Sequence, residues 1–456
     1  MDDTQRQVLD SIPLAQASHV IWRHIADDEA LEQVFERSRG RCYTREIAFP
    51  TFVQLIYDAL TQHAGSGNQC FQNAAEDGTL TASTRAAYAK LGRMPIEVSV
   101  DLFSTMVDRL RELLPTDVDS RLPKSLSQMQ VFTVDGKTVK RISKRLKPLR
   151  NARCGLSGGK ALVATEYDSG LAVGMTVDPD GHANDVRLLP GLIENLRGRF
   201  DEPRLWLADR QFCDLIQLGR FSEQGDHYVV RYNAKAKFTR DETQTVHEGK
   251  DKSGRKYIDE CGWLGADSNR NQRYVRRVTL QLGNGQELSI VTELFGVRKY
   301  PATDLLDLYA DRWEIERVFQ RVTEVFSLEN LIGGTPQANL FQLALCLLIY
   351  NQLQVVRNHI AKHQDRDSDE ISIENLFTDV KRELIAWTVL HPVLSLDDCV
   401  PRLRVSESRK RLAKLLEKAW RPFWIKATNA PHRKTQKHAK KKKHTSVHKI
   451  LNPKPT

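Results

Sequence analysis

The sequence predicts an α/β protein whose β-rich centre is flanked on both sides by helices. Three observations carry this: helical periodicity from about residue 14 to 120, a β-β-β-α-β-α-β order of patterned segments between Gln130 and Asn233, and a return to helical spacing near Thr303. At 456 residues the chain exceeds one compact domain, so roughly two to four units are expected.

Residues 1–125 read as a helical bundle, with Phe52, Val53, Leu55, Ile56, Ala59 and Leu60 at helical spacing and breaks at Gly65-Ser66-Gly67 and Met94-Pro95. Inside it, residues 80–93 read as a short helix started by Thr81 or Ser83 that presents Arg85, Lys90 and Arg93, either to DNA or simply to solvent. Residues 126–232 hold strands at 131–134, 160–166 and 171–177, then a helix from about Asp185 whose cap is Asn184 or Asp185. A strand ending at Asp209, a helix near 212–221 and a strand at 227–232 follow. Residues 233–290 are polar, with alternating stretches on either side of Gly283-Asn284-Gly285, and read as a β-rich insertion. Residues 291–372 return to helices, 373–429 form a helical C-terminal region, and 430–456 form a lysine-rich tail without acids, expected to be disordered alone.

A formal net charge of +10 and a pI near 9.2 call for a polyanionic partner, with nucleic acid the leading candidate. The first residues lack the basic-then-apolar order of a signal peptide, and the apolar run 343–350 is too short to span a bilayer, so it reads as a buried helix and no membrane partner is expected. Seven scattered cysteines with no C-x-x-C pair argue against a zinc site and a disulfide framework and fit a reducing cytoplasm.

Three acids then stand out. Asp135 and Asp209 each close an apolar run that reads as a strand, and Glu316 lies in the helical segment Tyr309-Ala-Asp-Arg312-Trp-Glu-Ile-Glu316. Phosphodiester hydrolysis needs an activated oxygen nucleophile and a stabilised leaving oxygen, and two divalent ions about 3.5 to 4 Å apart supply both. Hard carboxylate ligands suit magnesium, with manganese as a substitute. On one continuous helix, Tyr309, Arg312, Glu316 and Thr323 would lie within roughly 60° of one another, so Arg312 and Tyr309 could hold the DNA backbone beside Glu316. The bland alternative is an exposed ion pair between Arg312 and Glu316. Lys137, Lys140, Arg141, Lys144 and Arg145 follow Asp135 in a stretch without acids, and Arg210 follows Asp209; all are candidate phosphate contacts.

In this order, the motifs resemble those of the DDE transposases of bacterial insertion sequences, specifically the insertion-sequence-four superfamily, over about residues 40 to 355. That family's motif is Tyr, then Arg, Glu and Lys at fixed spacings. Tyr309, Arg312 and Glu316 match it, and Thr323 stands where the family has Lys. Arg317 and Arg321 lie on other helix faces and are poor substitutes. The resemblance implies a ribonuclease-H-like core interrupted by a β insertion, with Asp135, Asp209 and Glu316 as catalytic metal ligands. It also implies double-stranded DNA as partner (terminal inverted repeats and target DNA), a homodimer on paired ends, and a cytoplasmic, nucleoid-associated place in a bacterium. The alternatives are a related metal-dependent nuclease that does not join strands and a catalytically inactive DNA-binding derivative.

Overall fold

Apolar runs broken by turn residues make the middle of the chain a sheet. The computed structural model describes residues 3–42, 46–116, 120–140, 146–150, 155–201, 203–266, 272–324, 330–391, 394, 396–426 and 444–452. The eleven strands among these described residues form one sheet. They are β1 (Gln130–Lys140), β2 (Gly155–Glu166), β3 (Ala172–Asp178), β4 (Arg204–Ala208), β5 (His227–Arg231), β6 (Phe238–Arg240), β7 (His247–Lys250), β8 (Lys256–Leu264), β9 (Arg273–Gln281), β10 (Glu287–Thr292) and β11 (His444–Ser446). The order is β11-β2-β1-β4-β5-β10-β9-β8-β6, with β3 also on β2 and β7 on β8. β1 runs antiparallel to β2 and parallel to β4, which is in turn parallel to β5.

Residues alternate between the two faces of a strand, and the burial follows that period. Val131, Leu205, Leu207 and Val229 enter one apolar cluster, together with Leu305, Leu306 and Tyr309 of the helix Ala302–Ala310. Phe132, Val134, Trp206, Ala208, Tyr228 and Val230 enter the other, larger cluster, which also takes in the helices between Pro13 and Arg111. A strand covered on both faces needs an almost unbroken apolar run, as 131–134 and 205–208 provide.

The helix Pro336–His363 is the spine of the larger cluster. By length and composition it could cross a membrane, but its apolar window lies wholly inside the fold. It is far longer than the run 343–350, because buried amides extend it. Asn351 accepts from the Ala172 N–H at 2.8 Å and donates to the Ala172 carbonyl at 2.7 Å, fixing the helix to β3. Gly159, at φ +115, lets Leu340 approach β2, since a Cβ there would sit 3.0 Å from the Leu340 Cγ.

The β-rich stretch after Asn233 joins the core sheet: β10 pairs with β5, and β9 and β8 follow in the same sheet. Two expectations need correction. β1 does not end at Asp135 but continues to Lys140, because pairing with β2 carries it past the acid. The tail is not structureless throughout. Residues 444–446 pair in parallel with β2, Lys449 meets Asp180 at 3.3 Å, and the helix Val447–Leu451 follows. Residues 427–443 and 453–456 lie outside the described residues.

Candidate active site

β1 and β4 pair in register through Val134 and Ala208, so Asp135 and Asp209 come next on neighbouring strands. Asp209 keeps an extended backbone (φ −78, ψ 168) before the 3-10 turn Arg210–Phe212. By strand alternation both carboxylates project to the face on which Val131, Leu205 and Leu207 lie.

The segment carrying Glu316 reaches that site from a different geometry than one continuous helix. The helix Ala302–Ala310 ends before Arg312, a 3-10 turn spans Asp311–Trp313, and a second helix, Glu314–Glu324, packs on β1. The common-face argument for Tyr309, Arg312, Glu316 and Thr323 therefore fails, because it assumed uniform helical rotation. Tyr309 is buried, and its hydroxyl donates to the Ala208 carbonyl at 3.4 Å. It braces the end of β4 beside Asp209 instead of reaching out to a DNA backbone. Arg312 is also buried, with Nη2 3.1 Å from Glu316 Oε1. The pair is not the bland surface one: the Arg312 side chain is 3% exposed against 42% for Glu316.

The electrostatics tie the acids together. Burial pushes the Asp135 carboxyl up to about 6; the Gly136 N–H and Arg312 oppose the rise, while Glu316 and Asp185 add to it. Burial works against the charge of Arg312, but Tyr309, Asp209, Asp135 and Glu316 outweigh it and raise its pKa. The guanidinium hydrogen-bonds Glu316 and lies within electrostatic reach of Asp135 and Asp209. Among the described residues no three His, Cys, Asp or Glu side chains are gathered closely enough to form a metal-ligand set. The structure places Asp135 beside Asp209 and brings Glu316 within their field, held on Arg312. Asp135 and Asp209 by themselves offer oxygen donors that suit a hard divalent cation, because Asp209 Oδ1 is buried without a hydrogen-bond partner and burial disfavours the charge on Asp135 that a cation would offset.

The basic candidates divide. Lys140 and Arg210 are exposed. Lys137 instead lies against the helix Glu314–Glu324, its Nζ 2.6 Å from Thr323 Oγ1 and 3.1 Å from the Phe319 carbonyl. Arg141, Lys144 and Arg145 lie outside the described residues. In the N-terminal helix Thr84–Arg93, Ser83 is the cap, accepting from the Ala86 N–H. Arg85 and Arg93 are exposed, whereas Lys90 donates to the Ile47 carbonyl and sits over the Phe35 and Phe52 rings. Lys90 is a packing residue, not part of a presented face.

Asp185 was legible only as a possible cap, and Asn184 takes that role by accepting from the Val186 N–H. Asp185 is instead a buried acid behind the strand that carries Asp135. It receives Lys160 Nζ at 2.6 Å and Gln211 Nε2 at 2.8 Å, and presses on Gly136, where a Cβ would fall 2.4 Å from its carboxyl. Gly136 faces opposite to Asp135 on β1, so Asp185 supports the acid strand from beneath. The Asp135-Gly136 dipeptide, readable as an ordinary turn, was the available signal: mid-strand, its glycine marks a close approach.

Residues 126–352 match the family described as Transposase DDE domain. The chain carries that domain and is a DNA transposase. Over 357 residues the transposase is 23% identical to a Geobacillus stearothermophilus protein named "Probable transposase for insertion sequence element IS5377", covering 78% of this chain and 89% of that one. A second relative, named as transposase y4zB of Sinorhizobium fredii, is 27% identical over 81 residues, 18% of this chain and 22% of that one. Among solved structures, the piggyBac transposase synaptic complex with hairpin DNA is similar at a TM-score of 0.40 and 10% identity, covering 88% of the transposase and 85% of that chain.

Proposed function

We propose that this transposase cuts and joins the ends of its own insertion sequence at a site formed by Asp135, Asp209 and Glu316. The observation that carries the reading is the in-register placement of Asp135 and Asp209 on adjacent parallel strands, facing the segment that holds Arg312 and Glu316. The order β3-β2-β1-β4-β5 supports a ribonuclease-H-like core, and the motif order supports membership of the insertion-sequence-four superfamily. On this reading residues 1–125 engage the element's ends, 126–232 and 291–372 form the catalytic core, 233–290 the insertion, and 373–429 and 430–456 the C-terminal helices and tail.

Asp135, Asp209 and Glu316 would hold magnesium, or manganese in its place; when bound, a pair of such ions activates water and stabilises the departing oxygen. The remaining work belongs to the chain. Arg312 keeps three acids of like charge compatible in one partly buried place. Tyr309 fixes the end of β4, so Asp209 stays beside Asp135. Lys140 and Arg210 neutralise backbone phosphates. Water attack at phosphorus breaks the bond to the 3′ oxygen, leaving a 3′ hydroxyl and a 5′ phosphate; that hydroxyl then attacks a phosphorus of the opposite strand or of target DNA and displaces the attacked strand's own 3′ oxygen. Two copies on paired ends would allow both ends to be joined together.

The test is magnesium-dependent cleavage and joining of a duplex carrying the element's terminal repeats. Asp135→Asn, Asp209→Asn and Glu316→Gln should each lower cleavage by about a thousandfold or more while leaving duplex binding in place, consistent with the scale of losses seen when a key charge stabiliser is removed. Cleavage that survives Asp135→Asn would reject the site. Cutting without joining would reduce the enzyme to a nuclease.

A further inference from the structure

β9 carries two neighbouring arginines, and alternation sends them to opposite faces of the sheet. On one face Arg277 pairs with Glu260 at 2.6 Å and lies over the Phe238 ring. Arg276 shares the other face with Val278, Leu280 and Ile290, within the apolar cluster that also holds Leu305, Leu306 and Tyr309 of the helix Ala302–Ala310. It is fully buried there. Cys261 lies opposite Arg276, so Asp259, two residues along β8, is on the same face and diagonal to it. The two side chains meet as a fork, with Nε 2.8 Å from Oδ1 and Nη2 2.6 Å from Oδ2. Stability alone is a weak reason for such a pair, because apolar residues of similar volume in its place are often as stable or more so. The remaining nitrogen reaches out of the sheet. Nη1 donates to the Leu294 carbonyl at 2.8 Å and to the Tyr300 carbonyl at 2.7 Å. Leu294 lies just past the end of β10, and Tyr300 stands two residues before the helix Ala302–Ala310. The turn between them also closes on itself, with the Tyr300 N–H on the Gly296 carbonyl at 2.6 Å. Arg276 thus fixes both ends of the turn from which the catalytic segment starts. The far end of that helix sets Tyr309 against the Ala208 carbonyl, one residue before Asp209, and the chain then passes to Arg312 and Glu316.

We propose that Arg276 is a positioning residue for DNA cleavage: from β9, the third strand beyond β4, it sets where the helix Ala302–Ala310 begins and therefore where Arg312 and Glu316 stand relative to Asp135 and Asp209. This rests on the reading of Asp135, Asp209 and Glu316 as the site of cleavage. It gives the β-rich stretch after Asn233 a part in the reaction that works through geometry. A lysine at position 276 would keep a charge opposite Asp259, but an ammonium lacks the planar fork that grips the carboxylate and both carbonyls at once. A second tie joins the same helix to the turn before β8, where Lys252 meets Asp307 at 2.7 Å, but that pair lies on the surface.

The experiment compares the full-length wild type, R276K and K252A on a duplex carrying one terminal repeat. Duplex binding, cleavage over a magnesium series, and amide hydrogen exchange of the protein without DNA or metal are measured in parallel. R276K should leave duplex affinity unchanged, slow cleavage by about tenfold to a hundredfold, the scale on which a misplacement of roughly 1 Å acts, and raise the magnesium concentration for half-maximal cleavage. Exchange should rise at residues 302–310 while residues 257–264 stay protected. A merely structural arginine would lower the melting temperature and leave the magnesium requirement of the folded molecules alone. K252A should cut within about twofold of wild type, as expected for an exposed ion pair. If R276K loses protection at 257–264 as well, the apolar exchange R276M/D259L, which leaves neither charge buried alone, replaces it under the same measurements. A folded variant with wild-type cleavage and magnesium requirement overturns the proposal, as does K252A falling as far as R276K. If the wild type does not cleave, or Asp135→Asn cuts as well as it does, the reading of the acidic site fails by itself; unchanged exchange at 302–310 in R276K would separately overturn the role of Arg276.

Discussion

Asp185 shows how much a single buried residue decides near the acids. Its carboxylate joins Lys160 on β2 to Gln211, two residues beyond Asp209, from below Gly136. Removing one member of a buried pair strands the other charge, so Asp185→Ala should destabilise the protein by roughly 3 kcal/mol, and adding Lys160→Met should recover much of that loss. Urea unfolding of the two variants measures this; an Asp185→Ala protein as stable as wild type would show that the pair contributes little. Gly136 is constrained by the same contact, since no side chain fits between β1 and the Asp185 carboxyl. Tyr309 and Lys90 teach the complementary lesson. Residue type made both look like ligand-facing groups, and burial assigned them to packing.

Elements set the angles at which these residues meet. The break at Asp311–Trp313 divides what reads in sequence as one helix, turning Arg312 inward and giving Glu316 the first turn of a new helix. Contacts between elements also make stability depend on pH. Glu383, on the helix Ile373–Leu390, accepts from the backbone N–H groups of Leu14 and Ala15 at 2.8 and 2.9 Å, at the start of the helix Pro13–Ile25. Burial pushes its carboxyl up to about 7, in spite of those donors and Arg421. With the folded pKa above the unfolded value of about 4.3, its contribution to stability is complete below that value and is lost as pH rises through about 7. The difference in melting temperature between wild type and Glu383→Gln should therefore shift in favour of the glutamine variant from pH 5 to pH 8. Parallel melting curves for the two proteins would remove Glu383 as a source of the pH dependence.

At the scale of the molecule, one hydrogen-bonded sheet runs from the acid-bearing strands through β10 to β8. The C-terminal strand closes part of the other edge. His444 pairs with Gly155, its ring lying where a Cβ at Gly155 would come within 2.4 Å, and His182 Nε2 lies 2.9 Å from the His444 carbonyl. Ending the chain before His444 should raise amide hydrogen exchange at residues 155–157 while leaving β1 and β4 protected. Unchanged protection at 155–157 would mean that β11 adds nothing to the edge.

Local chemistry was enough to reveal the order of strands and helices around Asp135 and Asp209 and to single out three acids as candidates, because period and turn residues act over a few residues; the departure at Thr323 is visible only against the motif of the family the chain resembles. Only tertiary structure decided that β1 runs on beyond its acid, that Tyr309 faces inward, that the buried Arg312 pairs with Glu316, and that Lys137 meets Thr323. Each of these depends on which distant segment supplies the neighbour, and burial, charge compensation and hydrogen-bond partners belong to the neighbour as much as to the residue itself.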